Sequence, residues 1–225
     1  MTVSEGQYRI GLFGGTFDPV HKGHLLLARL VLDRCRLNTL LFIPAPQPPH
    51  KRQPLVSFGH RAAMLTAALA DWPERHGMEL SLIEASLPAP SYTINTVEAL
   101  RQQYGPQRFL LVIGADSLLD LPQWHRAPEL LNLISLIVVQ RDAIEREAIE
   151  KTLRTLDPHC AWNEELQLWQ GTGEYAVEFL ADVELPVSSS AIREDLLQGR
   201  SPDMLPAAVL AYIKRHHLYG WLSQA

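Results

Sequence analysis

Short, uniformly apolar runs alternate along this chain with stretches whose apolar positions return every three or four residues. A continuous apolar run between turn residues suits a strand buried on both faces. Three-to-four spacing suits a helix packed on one face. The pattern predicts strands over residues 8–13, 39–43, 108–113 and 134–140, and helices over 24–36, 58–71, 93–104 and 128–132. In the first helix, Leu26, Leu27, Leu30 and Val31 form the expected buried face. The third meets a stop signal at Gly105-Pro106. Residues 79–83 read as a strand of weak alternation, 44–57 as a proline-rich loop and 143–156 as a polar helix. Residues 162–179 suggest short strands, and helices over 190–198 and 206–216 close the chain.

Strand–helix alternation through the first 140 residues predicts an α/β fold: a parallel sheet with helices on both faces. The expected organisation is one domain, with a C-terminal helical extension from about residue 186 to 225. Such sheets bind ligands beyond the carboxyl ends of their strands. Gly14, the 44–51 loop and Gly114 to Asp116 all follow predicted strands, so they are expected to converge there.

Composition narrows the class. The 225 residues are 47% hydrophobic and 20% charged, enough for a core without metals or disulfides. A formal net charge of -5 argues against a general nucleic-acid binder but leaves room for a locally positive phosphate site. Cys35 and Cys160 are far apart and form no ligand pattern, as expected of reduced thiols. Residues 1–7 are polar and lack a signal-peptide core. The apolar stretch 130–139 is interrupted by Asn132 and Ser135 and is too short for a bilayer. A cytoplasmic chain without membrane contact is expected, its oligomeric state open.

The chemistry concentrates in Gly14-Gly15-Thr16-Phe17-Asp18-Pro19-Val20-His21-Lys22-Gly23-His24, between a predicted strand and a predicted helix. Glycines there let a ligand approach the main chain, and the helix start offers free amides to an anion. The third glycine of a dinucleotide fingerprint is missing. Asp18 and Pro19 favour a tight turn, and a plain strand-to-helix turn is the competing reading. His21 and His24 share a face if helical geometry has begun, and both can donate to phosphate. A transferring phosphoryl group needs such donors more than it needs a base. A metal pair would need a third ligand that is not evident nearby.

Ser188-Ser189-Ser190-Ala191-Ile192-Arg193 precedes another helical pattern. Its hydroxyls and Arg193 suit an anion, while a simple serine N-cap fits equally. Lys51 and His50 in Pro48-Pro49-His50-Lys51 could meet a polyphosphate. Asp116 in Gly114-Ala115-Asp116-Ser117 could bind a ribose or cap a helix, and Trp124 could stack on an aromatic ring.

Together these segments resemble the nucleotidyltransferase superfamily of Rossmann-like folds. Its first motif is similar to Gly15 to Pro19 with His21 and His24, and its second to Ser188 to Ser190 with Arg193. Within it, the chain is most similar to the bacterial nicotinate mononucleotide adenylyltransferases. That narrower resemblance rests on Pro48 to Lys51, on Ser91-Tyr92-Thr93-Ile94-Asn95-Thr96, and on Gly114 to Ser117 leading to Trp124-His125. Departures are Asn95, where many relatives have Asp, and Arg141 in place of an Arg-Pro-Gly. The resemblance implies transfer of AMP from ATP to nicotinate mononucleotide, with Mg²⁺ carried by ATP and no covalent intermediate. It implies catalytic roles for His21, His24 and Arg193. ATP would further meet Gly14, Gly15, Thr16, Phe17, His50, Lys51, Gly114, Asp116 and Ser188 to Ser190. Tyr92, Thr93, Asn95, Trp124 and His125 would meet the mononucleotide. The rivals are nicotinamide mononucleotide or phosphopantetheine as acceptor, and an ATP sensor without turnover.

Overall fold

The computed structural model describes residues 8–48, 56–140, 144–173, 175–181, 183 and 187–221. Among them the chain forms β1 (Arg9–Gly15), α1 (Lys22–Arg34), β2 (Thr39–Pro44), α2 (Phe58–Asp71) and β3 (Met78–Leu80). There follow α3 (Thr93–Tyr104), β4 (Arg108–Gly114), α4 (Ala115–Asp120), α5 (Ala127–Leu131), β5 (Ser135–Val139) and α6 (Arg146–Leu156). The last part adds β6 (Ala161–Asn163), β7 (Leu168–Gln170), β8 (Ala176–Leu180), α7 (Ser189–Leu197) and α8 (Ala207–Arg215). The strands make one eight-stranded sheet in the order β3-β2-β1-β4-β5-β8-β7-β6. Neighbours from β3 to β8 pair in parallel; β7 and β6 form an antiparallel edge. The strand order reverses between β1 and β4, where parallel sheets open a crevice at their carboxyl ends.

Strand side chains alternate between the two faces of the sheet. Phe13, Leu40, Phe42, Leu110, Val112, Ile137 and Val139 point into a core shared with α1, α2, α7 and α8. Ile10, Leu12, Leu41, Ile43, Leu111, Ile113, Leu136 and Val138 point into the opposite core, under α3, α4, α5 and α6. Both faces are apolar, so the central strands read as continuous hydrophobic runs. Truncating a fully buried ring such as Phe42 to alanine should cost about 3–5 kcal/mol.

Helices cover both faces, as expected. The residues of 162–179 do supply short strands, and the last of these, β8, extends the parallel set. Three expectations need correction. Leu26 is 47% exposed; the buried stripe of α1 is Leu25, Leu27, Ala28, Val31 and Leu32. Strand 79–83 stops at Leu80 and gives way to a 3₁₀ turn at Ile83–Ser86. There the Ser86 hydroxyl donates to the Ile83 carbonyl at 2.8 Å, a local bond that competes with strand pairing. The third is α4, a six-residue helix between 113 and 128, where the pattern assigned no element. Among the described residues, no helix is long and apolar enough to cross a membrane.

Candidate active site

A cavity of about 1020 Å³ opens above the carboxyl ends of β1 and β4. Its wall includes Gly14, Gly15, Thr16, Phe17, His21 and His24 from the β1–α1 turn, and Ser188, Ser189, Ser190 and Arg193 from the start of α7. Gly114, Asp116, Tyr92, Thr93, Trp124 and His125 line it as well. Asn95 is not part of that wall. His50, Lys51 and Arg141 lie outside the described residues.

The β1–α1 turn is held by its own aromatic ring. Phe17 is buried with φ +50°, a left-handed conformation uncommon outside glycine. Its ring packs edge-on against Phe13 at 5.6 Å and His24 at 5.1 Å. A Cβ on Gly15 would come within 3.0 Å of that ring, so the glycine permits the wedge. His21 is the extended N-cap residue of α1, and its backbone N–H donates to His24 Nδ1 at 3.2 Å. A ring nitrogen that accepts carries no proton. Neutral His24 is therefore the Nε2–H tautomer, with its donor on the other nitrogen. The two imidazoles stack at 3.7 Å between centroids.

The turn's carbonyls are occupied by side chains from distant parts of the chain. Arg61 of α2 donates to the Thr16 carbonyl at 2.7 Å and to the Pro46 carbonyl at 3.3 Å. Arg193 donates to the Asp18 carbonyl at 2.8 Å and to Ser190 Oγ at 3.0 Å. Ser189 Oγ donates to the Pro19 carbonyl at 3.0 Å. The buried Asp18 carboxylate accepts from the Tyr219 hydroxyl at 2.7 Å. Burial pushes the Tyr219 hydroxyl's pKa above its ordinary value, and the Asp18 carboxylate pushes it the same way. Burial lowers the pKa of Arg61, and the nearby Asp18 charge opposes that shift.

Ser188 does cap α7: its Oγ accepts from the Ala191 N–H at 3.2 Å. The N-cap reading thus holds for Ser188, which also lines the cavity. Asp116 sits in the first turn of α4, while Gly114 holds the N-cap position. A Cβ on Gly114 would lie 2.2 Å from Asp116 Oδ1, so only glycine lets this carboxylate fold back. On the far wall Tyr92 stacks on His125 at 4.3 Å. On the same wall, largely buried Glu84 accepts from Thr96 Oγ1 at 2.7 Å. Burial raises the Glu84 pKa, and hydrogen bonds from Thr96 and Ser91 offset part of the rise.

The chain is 41% identical over 216 residues to a "Probable nicotinate-nucleotide adenylyltransferase" of Gloeobacter violaceus, covering 94% of this chain and 96% of the relative. It belongs to the nicotinate-nucleotide adenylyltransferase family. The homonymous Bacillus pumilus protein is 37% identical over 213 residues, covering 94% of this chain and 98% of that one. Residues 12–195 also match the broader cytidylyltransferase-like family. The fold is that of the Plasmodium falciparum nicotinic acid mononucleotide adenylyltransferase complexed with NaAD. The TM-score is 0.74 at 17% identity, over 96% of this chain and 98% of that one.

Sequence reading of this nicotinate-nucleotide adenylyltransferase family member missed Arg61, Tyr219 and Glu84. Arg61 left a trace, since it occupies the apolar stripe of α2 with Leu65 and Ala68. A cation on a buried helix face needs partners. Tyr219 and Glu84 left none that periodicity could reveal.

Proposed function

We propose that this chain transfers AMP from ATP to nicotinate mononucleotide, yielding nicotinate adenine dinucleotide and pyrophosphate on the route to NAD. One observation carries the reading: the His21–His24 turn and the Ser188–Arg193 segment, about 170 residues apart, border the same cavity. Family membership supports the choice of acceptor.

In this reaction a phosphate oxygen of nicotinate mononucleotide attacks the α-phosphorus of ATP. The new P–O bond forms as the bond to the β-phosphate bridging oxygen breaks, and pyrophosphate leaves with the electron pair. Catalysis is then positioning and charge stabilisation. His24, through its Nε2–H, and His21 stabilise the α-phosphorus and the leaving oxygen. Arg193, the Ser188 and Ser190 hydroxyls and the α7 amides hold the β- and γ-phosphates, with Ser189 bracing the turn beside them. Gly14 to Phe17, Gly114 and Asp116 meet the rest of ATP. Mg²⁺ enters as part of the substrate, bound to the triphosphate, and needs few protein ligands. Trp124 stacks on the pyridine ring, with Tyr92, Thr93 and His125 around it.

Purified protein with Mg·ATP should release pyrophosphate when nicotinate mononucleotide is added. Nicotinamide mononucleotide and phosphopantetheine, offered in turn, should give much slower release. Faster turnover of either would reassign the acceptor, and ATP binding without release would identify a sensor.

A further inference from the structure

Residues 218–220 lie far from the two phosphate motifs in sequence, yet their 3₁₀ turn reaches the β1–α1 turn. The Tyr219 hydroxyl donates to Asp18 Oδ1 at 2.7 Å across a separation of 201 residues. Asp18 is 5% exposed, so its carboxylate has given up most of its water and depends on protein donors and cations. Arg193 and Arg61 both act electrostatically at this spot. Arg193 binds the Asp18 carbonyl, Arg61 the Thr16 carbonyl and Ser189 the Pro19 carbonyl. A turn whose carbonyls are tied to one side can present its amides to an anion on the other. One buried carboxylate near two guanidiniums also leaves a net positive charge at this turn.

We propose that Tyr219 is a positioning residue for the triphosphate site: its hydroxyl holds the Asp18 carboxylate in place, so that Arg193 stays aimed between Ser190 and the bound phosphates. Loss of the hydroxyl removes one donor from a buried carboxylate. The nearest guanidinium then swings toward Asp18, and the grip on ATP weakens. The high proton affinity of Tyr219 keeps it a donor at every working pH. The ring is not the active part, since the inference requires only the oxygen.

This inference rests on the proposed function for the identity of the phosphate ligand. The test is Tyr219→Phe, read by calorimetric titration with Mg·ATP and by steady-state kinetics with both substrates. Expected are an ATP dissociation constant raised about tenfold and a KM for nicotinate mononucleotide within about twofold of wild type, by the strength of a hydrogen bond to a charged group. In an Asp18→Asn background the same substitution should cost less than about threefold, because the partner charge is gone. Tyr212→Phe removes another C-terminal hydroxyl, bonded to His60 instead, and should leave ATP affinity unchanged. Thermal melting separates folding from binding. Unchanged ATP affinity in Tyr219→Phe, equal costs in both backgrounds, or a lower melting temperature alone would overturn the proposal. Calorimetry with ATP reads it even if turnover with nicotinate mononucleotide fails, so failure of the function and failure of the inference are distinguishable.

Discussion

The two walls of the cavity are built on different principles. The wall around His24 and Arg193 is a turn whose carbonyls of Thr16, Asp18 and Pro19 are each bound by a side chain from elsewhere in the chain. The wall around Trp124 is built from nearer neighbours, with Tyr92 stacked on His125 and Glu84 bonded to Thr96 twelve residues away. A charged ligand demands rigid, pre-aimed donors, because reorganising dipoles during the reaction is costly. A flat ring tolerates more freedom, since stacking varies slowly with small shifts. Damage to the first wall should therefore fall on turnover and ATP, and damage to the second on the acceptor.

His24→Ala is the strongest way to break that contrast. It removes a donor to the developing charge and should cost roughly 3 kcal/mol, about a hundredfold in kcat. Near-normal turnover in single-cycle kinetics would remove His24 from the chemistry. Arg193→Lys keeps the charge but loses the fork shared between Asp18 and Ser190. It should lower kcat/KM for ATP by about thirtyfold, within the range of charge-assisted hydrogen bonds, and leave KM for the acceptor nearly unchanged. Trp124→Ala sharpens the comparison from the other side. It should raise KM for nicotinate mononucleotide about fivefold to tenfold through lost stacking, with ATP affinity held. An equal loss for both substrates would mean that the walls are not separable.

The smallest effect concerns pH. Glu84 has its pKa raised in the folded protein, so the folded state favours its neutral form. Its stabilising contribution is complete below the ordinary carboxylate range and is lost as pH rises through the raised value. Glu84→Gln fixes a neutral group there. Melting temperatures of variant and wild type should diverge in favour of the variant as pH rises above the ordinary carboxylate range. Parallel curves would show that the carboxyl is fully compensated.

How much of this was legible in advance follows from the range of the forces involved. The central strands were readable because both faces of the sheet are apolar, and α2 and α3 start and stop at the expected residues. Phe17, His21, His24 and the serine run were readable because their chemistry is local. Leu26 misled because α1 is buried along a stripe one position earlier, through Leu25. The family resemblance implies a place for Asn95 at the mononucleotide beside Tyr92 and Thr93, but the helical rotation of α3 takes it off the cavity wall. The contacts of Arg61 and Tyr219 were invisible because they join segments 45 and 201 residues apart. Nothing in periodicity encodes which distant carbonyl a buried guanidinium will reach.

The order in which this chain is made has a bearing on its first motif. A ribosome releases both imidazoles well before Arg193, and Arg193 before Tyr219. A nascent chain stalled before Ser189 would carry the β1–α1 turn without Ser189, Arg193 and Tyr219, whose side chains bind it. The turn at Asp18 and Pro19 is thus complete only once residues 189–219 have emerged and packed against it, so a feature encoded near residue 18 depends on chain made up to 201 residues later.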